Sequence, residues 1–288
     1  MSPVTRVSVF STGAVQIRPE HVRSRRSPLL WWLLTSRRWT APRPINVYVI
    51  EHEQGLVLFD TGQDRRSVTD ADYFPSGLTG VLYSRLARFA IEPSDTLTAQ
   101  LNALGYDVSG VRTAILSHLH QDHIGGIAEL SDAEIVVSKA EWDELAKPFA
   151  EVNGLLRAHI DLPGLHWNFV TPRRTDDLSL APFAESHDLF GDGSLVLVPT
   201  PGHTPGSMSL LLRQEGMAPM LFVGDLTYDA DLLAQEKVPG VGSRRGLLRS
   251  TRAVLKLKER YPDLVILAAH DPAAAALLER ALRPGTTT

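Results

Sequence analysis

Apolar runs with the composition of β-strands recur along the chain, and amphipathic stretches lie between several of them. Helices are predicted at 94–104 with Ser94 as the N-cap, at 139–147 behind a capping box from Ser138 to Glu141, and at 243–260. Strands interleaved with helices predict an α/β fold. The predicted strands cover residues 4–10, 47–50, 56–59, 113–116, 135–137, 195–198, 210–212, 221–223 and 264–268.

The length and composition favour one large folded unit. With 288 residues and 43% hydrophobic side chains, the chain can bury a sizeable core. It shows no fixed-period repeat and no linker, so we expect a single domain over residues 1–288. The segment 283–288 reads as a frayed tail.

Charge and cysteine content exclude several classes of protein. The 29 basic residues against 33 acidic ones leave a net charge of -4, which argues against a nucleic-acid partner. The chain has no cysteine, so any metal must bind to His, Asp or Glu. Its apolar runs are shorter than the roughly 20 residues that span a bilayer, and we therefore expect a cytoplasmic protein without a transmembrane segment.

The segment 21–44 differs in composition from the rest of the chain and is interpreted as an insertion. It carries six arginines, no acidic residue and the apolar run 29–34. A short buried helix with solvated arginines, a hydrophobic wall for a substrate, a homodimer surface and an interfacial membrane contact all fit this composition. The sequence does not choose among them.

The segment 117–126, which follows the predicted strand 113–116, is crowded with side chains that bind metals. On a helix His120 would point away from its neighbours, so convergence requires an extended or looped backbone, with Gly125 and Gly126 allowing a close turn. Catalytic zinc sites use three protein ligands, so four such side chains predict more than one ion. The four are His118, His120, Asp122 and His123.

Further ligand-type side chains terminate three later apolar runs. His203 follows the predicted strand 195–198, Asp225 follows 221–223 and His270 follows 264–268. Each alone has an explanation as a turn or cap residue. Together they complete a metal site begun by the 117–126 segment.

The ordered series Asp60-Thr61-Gly62, His118-x-His120-x-Asp122-His123, His203, Asp225 and His270 resembles the metallo-β-lactamase superfamily over residues 4–275. The resemblance implies an αβ/βα four-layer sandwich of two mixed β-sheets flanked by helices. It also implies two divalent metal ions, zinc in the first place and Fe, Co or Mn otherwise. The implied ligands are His118, His120 and His203 for one ion and Asp122, His123 and His270 for the other, with Asp225 bridging and Asp60 supporting.

Within the superfamily, Asp225-Leu226-Thr227-Tyr228 and the spacing from His203 to Asp225 resemble the N-acyl homoserine lactonases. Asp at 225 without any Cys is unlike the β-lactamases, and His at 120 is unlike the diiron redox members. The resemblance implies attack of a metal-bridging hydroxide on the lactone ester. A glyoxalase II-like thioesterase, an organophosphate or aryl ester hydrolase, and a non-catalytic metal-binding or membrane-peripheral protein are the alternatives.

For this reaction we assign residue roles as hypotheses. The Tyr228 hydroxyl would stabilise the oxyanion, although it could equally be a packing aromatic, and Asp122 would protonate the leaving alkoxide. The small-molecule substrate needs an apolar wall for its acyl chain. Predicted substrate contacts are Trp31, Trp32, Trp39, Gln121 and Tyr228, with Phe74, Leu82 and Tyr83 as further wall candidates.

Overall fold

The structure, a computed structural model, describes residues 2–25 and 27–283, and its strands form two mixed sheets. Of the predicted tail 283–288, residues 284–288 lie outside the described residues, while the described Arg283 pairs with Glu279. The first sheet contains β1 (Val4–Ile17), β2 (Arg43–His52), β3 (Gly55–Phe59), β4 (Ala87–Ala90), β5 (Val111–Ile115), β6 (Glu134–Ser138) and β7 (His166–Val170), in the order β4-β1-β2-β3-β5-β6-β7. The second contains β8 (Arg173–Arg174), β9 (Glu185–Asp188), β10 (Leu195–Pro199), β11 (Met208–Leu212), β12 (Met220–Phe222) and β13 (Val265–Leu267), in the order β13-β12-β11-β10-β9-β8.

Helices cover the outer faces and the ends of these sheets. The α-helices are α1 (Pro19–Val22), α2 (Leu29–Thr35), α3 (Arg66–Thr69), α4 (Gly77–Leu86), α5 (Leu97–Ala103), α6 (Gln121–Ile124), α7 (Lys139–Trp142), α8 (Arg157–Ile160), α9 (Ala230–Ala234), α10 (Arg244–Arg260) and α11 (Ala274–Leu282). Short 3₁₀ turns occupy Pro93–Asp95, Val108–Gly110, Ile127–Glu129, Asp143–Ala146, Glu151–Asn153, Leu178–Leu180 and Gly224–Leu226. No helix within the described residues is both long and apolar enough to cross a membrane.

Apolar side chains form three layers: one between the two sheets and one between each sheet and the helices on its outer face. Phe59 of β3 meets Phe222 of β12 between the two sheets, with their ring centroids 5.7 Å apart. The other face of the first sheet packs against Leu97 and Leu101 of α5. The other face of the second sheet packs against α10 through residues such as Val254. Two mixed sheets flanked by helices confirm the predicted four-layer fold.

Strand β1 is longer than the predicted 4–10 because a bulge carries it past a polar break. The register with β2 shifts between Ser11 and Ala14. The Ser11 hydroxyl accepts the Ile45 N–H at 2.9 Å, so a side chain replaces the missing backbone partner. Gly13, at φ 102°, supplies a backbone conformation that other residues rarely adopt.

Two predicted helices begin or continue differently from the prediction. Ser94 is not an N-cap, because it lies inside the 3₁₀ turn Pro93–Asp95, and Thr96 caps α5 instead. The predicted helix 139–147 is one α-helical turn followed by the 3₁₀ turn Asp143–Ala146. The residue before a proline disfavours helical backbone, which agrees with the end of the turn before Lys147 and Pro148. Helix α10 begins one residue after its predicted start, with Ser243 as the N-cap whose side chain accepts the Gly246 N–H.

Candidate metal centre

The predicted ligands converge because they follow strands whose carboxyl ends meet at one end of the two sheets. Asp60 follows β3 and the 117–123 segment follows β5, which pairs in parallel with β3. His203 follows β10, Asp225 follows β12 and His270 follows β13, the parallel neighbour of β12. Between β5 and α6 the backbone is irregular, as predicted, but Asp122 and His123 lie in α6, with His120 as its N-cap.

Three imidazole rings form the first group of ligand atoms. Nδ1 of His120 lies 3.0 Å from Nε2 of His118 and 2.9 Å from Nε2 of His203. Burial lowers the pKa of His118 well below its usual value and that of His203 to about 3, so both rings are neutral and keep a lone pair for a metal. On the other side, His120 Nε2 contacts the Asn153 carbonyl oxygen at 3.0 Å.

A second group contains Asp122, His123 and His270. His270 Nε2 lies 3.4 Å from Asp122 Oδ2, and His123 Nε2 lies 3.9 Å from Asp122 Oδ1. Nδ1 of His270 contacts the Pro44 carbonyl oxygen at 2.9 Å. That contact turns Nε2 towards the carboxylates, which is how backbone oxygens orient metal-binding imidazoles.

Asp225 lies between the two groups. Its Oδ2 is 3.4 Å from His203 Nε2, and its Oδ1 is 3.4 Å from His270 Nε2 and 3.5 Å from His123 Nε2. Burial alone would raise the pKa of Asp225, but the nearby His270, His123 and His203 hold it well below its usual range. The carboxylate is therefore ionised and reaches both groups.

The donor set fits a pair of divalent cations. Asp225 Oδ1 and His123 Nε2 are buried without a hydrogen-bond partner in the described part of the chain, which is costly unless something else satisfies them. Three sets of ligand atoms each lie within 4.8 Å of one another: His118, His120 and His203; Asp122, His123 and His270; and His118, His123 and Asp225. Imidazole and carboxylate ligands suit zinc and its first-row neighbours.

Asp60 supports this cluster from below. Its Oδ2 lies 2.8 Å from His123 Nδ1, and its two oxygens accept hydrogen bonds from the backbone and hydroxyl of Ser117. Asp60 itself adopts φ 60°, a left-handed conformation that costs free energy in a non-glycine residue. These hydrogen bonds hold the strained residue in place, and Asp60 in turn orients the His123 ring.

Glu141 is a buried carboxylate whose role in the site was not predicted from the sequence. Its Oε1 accepts the Leu119 N–H at 3.1 Å and its Oε2 accepts the Gly206 N–H at 3.0 Å. It thus joins the loop that carries His118 and His120 to the loop that follows His203. The Ser138 cap is present, but the Glu141 side chain makes these tertiary bonds rather than closing the predicted capping box. A local motif could not reveal that partner.

Tyr228 is buried beside the cluster, with its hydroxyl donating to Asp225 Oδ2 at 2.7 Å. Burial and the Asp225 charge raise its pKa well above the usual value, so the phenol is protonated. Its ring stacks on His270 at 5.3 Å and meets the edge of His21 at 5.4 Å. The Arg43 guanidinium donates to the carbonyl oxygens of His270 and Tyr228, which fixes both backbones.

A cavity of about 620 Å³ opens onto the cluster and is lined on one side by apolar side chains. Gln121 and Tyr228 line it, and so do the further wall candidates Leu82 and Tyr83. Phe74 lies behind them, 5.4 Å from the Tyr83 ring. The remaining apolar lining includes Ile17, Leu29, Leu86 and Phe89. His21, which had no predicted role, lines the cavity next to Tyr228.

The predicted wall of Trp31, Trp32 and Trp39 requires correction, because none of the three lines this cavity. Trp32 is buried behind His21, with the two ring centroids 6.1 Å apart. Trp39 is held between the guanidinium groups of Arg18 and Arg88 at 3.6 and 4.3 Å. Trp31 faces solvent. Helix α2 turns Trp31 to solvent and packs Trp32 behind His21, and Trp39 lies beyond the end of this helix, which composition could not reveal.

Comparison with known proteins agrees with this geometry. The family model of the metallo-beta-lactamase superfamily matches residues 40–270. The N-acyl homoserine lactonase AttM of Rhizobium radiobacter is 30% identical over 241 residues, which cover 83% of this chain and 86% of that protein. The family match extends from β2 to β13 and includes the whole ligand cluster.

Two solved structures show the same fold. One is an N-acyl homoserine lactone hydrolase with the product N-hexanoyl-L-homoserine bound at its catalytic metal centre, with a TM-score of 0.75 and 21% identity over 97% of both chains. The other is AidC, a dizinc quorum-quenching lactonase in complex with a product, with a TM-score of 0.63 and 17% identity over 95% of this chain and 92% of that one.

Proposed function

Because the chain belongs to the metallo-β-lactamase superfamily, we propose that it is a metal-dependent hydrolase that opens the ester ring of N-acyl homoserine lactones. The observation that carries the proposal is the cluster of seven imidazole and carboxylate side chains at the floor of a partly apolar cavity. Relatives about 30% identical over most of their length are N-acyl homoserine lactonases, which supports this substrate class.

The proposed ligands are the two groups described above. His118, His120 and His203 would hold one ion, the group of Asp122, His123 and His270 the other, and Asp225 would contact both. We propose zinc, with iron, cobalt or manganese as alternatives. When bound, such a pair supplies a Lewis acid for the ester carbonyl and lowers the pKa of a bound water towards neutrality.

Two side chains are placed to handle charge and protons. The protonated Tyr228 hydroxyl lines the cavity, and by turning its single proton from Asp225 Oδ2 to the carbonyl oxygen it can stabilise the negative charge that develops there. Asp122 also lines the cavity, with Oδ2 facing His270. Its carboxylate can take a proton at the attacking side and deliver it to the alkoxide that leaves when the ring opens.

The cavity wall suits an acyl chain. Its apolar side is built from β1, α2, α4 and β4, through side chains such as Ile17, Leu82 and Phe89. A volume of about 620 Å³ lies within the range of small-molecule sites. We propose that the homoserine ring lies over the ligand cluster and that the chain extends along this wall.

The test is a substrate panel on purified protein with and without added metal. We expect ring opening of acyl homoserine lactones to exceed hydrolysis of a glutathione thioester, a phosphotriester or a β-lactam, and to cease when a chelator removes the metal. Faster turnover of the thioester or phosphotriester would refute the substrate class.

Elemental analysis tests the ligand assignment separately. His120→Ala and Asp225→Ala should each lose bound metal, whereas His166→Ala, an exposed histidine outside the cluster, should not. Retention of two ions and full activity in the first two variants would refute the assignment.

The cytoplasmic location expected from the sequence stays a prediction. Fractionation of cells, followed by detection of the protein in each fraction, would check it.

A further inference from the structure

Helix α2 presents much of its apolar surface to solvent. Leu30, Trp31 and Leu34 are 62%, 65% and 64% exposed, while Trp32 and Leu33 are buried. Positions 30, 31 and 34 lie on one side of a helix, so the three side chains form a patch rather than isolated contacts. Contiguous exposed apolar patches in soluble proteins mark interaction sites.

The patch continues onto helix α4, which packs against α2. Leu78 and Val81 of α4 are 86% and 52% exposed. Both helices border the cavity of the candidate metal centre, through Leu29 of α2 and Leu82 of α4. We call the exposed set, Leu30, Trp31, Leu34, Leu78 and Val81, the apolar rim.

The two stretches of chain that contain this rim are rich in positive charge. These stretches, 21–44 and 73–91, hold eight arginines and no Asp or Glu, in a chain whose net charge is -4. Three of the eight have partners within the described chain. Arg43 donates to the His270 and Tyr228 backbones. Arg25 pairs with Glu20 at 3.7 Å, and Arg88 lies over the Trp39 ring. Among the described residues, the exposed arginines of these stretches are Arg23, Arg25, Arg37, Arg38 and Arg88.

We propose that the apolar rim and its arginines dock on the surface of an anionic lipid bilayer, with α2 lying in the interface beside the cavity mouth. The apolar side chains of the rim, including the exposed Trp31, would contact the acyl chains, and the neighbouring arginines would contact the anionic headgroups. Seven residues cannot span the bilayer, so α2 can only lie along it.

The observations favour a bilayer over a second copy of this chain. A two-fold contact through the rim would place the same arginine-rich surface on both sides, without acidic residues from these stretches to neutralise it. An anionic headgroup layer would neutralise the exposed arginines together. Docking through the rim follows from exposure and charge and does not depend on the proposed lactonase activity.

The experiment is co-sedimentation of the full chain with vesicles of phosphatidylcholine, with or without phosphatidylglycerol. We expect binding to the anionic vesicles only, with release at high salt as the charges are screened. Because each arginine near an anionic surface contributes about fivefold to the partition coefficient, Arg37→Ala with Arg38→Ala should lower it by about 25-fold. Leu30→Ser with Leu34→Ser should lower it by about tenfold or more, since interfacial binding scales with buried apolar area.

The matched control is Leu178→Ser, which replaces a leucine that is 77% exposed in the turn Leu178–Leu180, outside the rim. It should bind vesicles like the parent. Absence of parent binding to anionic vesicles, or equal binding by the Leu30 and Leu34 double variant, would overturn the proposal. A parent dimer in sedimentation that this variant converts to monomer would also overturn it, by assigning the rim to a second copy. The arginine variant provides the same test if the leucine variant does not fold.

Discussion

Replacing Glu141 by Gln is expected to loosen the two loops that carry the imidazole group of the metal centre. The carboxylate accepts one backbone N–H from each loop, at Leu119 and at Gly206, and is fully buried. Gln keeps one oxygen but replaces the other with an NH₂ group. One of the two backbone donors would then face another donor in a region without access to water.

The expected change in the free energy of unfolding is the balance of opposing contributions. A hydrogen bond to a charged group contributes about 1.5–3 kcal/mol, and a buried N–H without an acceptor costs about 1–3 kcal/mol. Burial raises the pKa of Glu141, which shows that burying its charge is itself unfavourable, and a neutral amide removes that cost. We therefore expect the free energy of unfolding to fall by about 1–3 kcal/mol. Metal affinity should fall by about 10–100-fold, as for other residues that hold metal ligands in place.

Urea unfolding of metal-stripped protein measures the first quantity, and competition with a chelator measures the second. Asp143→Asn is the control, because Asp143 lies two residues away but is exposed and pairs with the exposed Lys139. It should leave both quantities unchanged. If Glu141→Gln unfolds at the parent's urea concentration and binds metal equally well, the carboxylate does not hold the loops together.

Three further outcomes are expected. Tyr228→Phe should lower kcat by about tenfold or more while elemental analysis finds the parent's metal content, since the protonated hydroxyl is removed and the ring remains; unchanged kcat would make Tyr228 a packing residue. Gly154 has φ 93°, and Gly154→Ala would bring a Cβ within 2.7 Å of the His120 ring. The free energy of unfolding should therefore fall by about 1–3 kcal/mol, and bound metal should decrease. Parent-like values in both measurements would contradict this. Burial lowers the pKa of His21 from 6.5 to about 4 in the folded protein. As the pH falls below about 6.5, His21 therefore takes up a proton in the unfolded chain before it does so in the folded protein, and the free energy of unfolding decreases. Metal-stripped His21→Gln should therefore lose less unfolding free energy than the parent between pH 7 and pH 5, and an equal loss in urea titrations would refute the shift.

The cavity shows where local pattern stops being informative. Leu82 and Tyr83 were named as wall candidates and line the cavity, whereas Trp31 and Trp39 do not. All four are large side chains in stretches without clear periodicity. Which of them faces the site depends on how α2 and α4 pack against each other and on the arginines that hold Trp39, and these contacts join residues far apart in the chain.

The sequence pattern by itself determined most strands, the α/β class of fold and the identity of the clustered side chains, whereas the two-sheet sandwich was implied by the resemblance to the metallo-β-lactamase superfamily. The pattern could do so because strand periodicity is local and because the ligand-type residues lie within a few positions of the ends of apolar runs, which can be read from composition. Tertiary structure alone decided the bulge that lengthens β1, the bonds that Glu141 makes to two loops and the outward face of α2. These features depend on contacts between residues that are far apart in the sequence. The free energy of such contacts cannot be derived from the residues of any one segment.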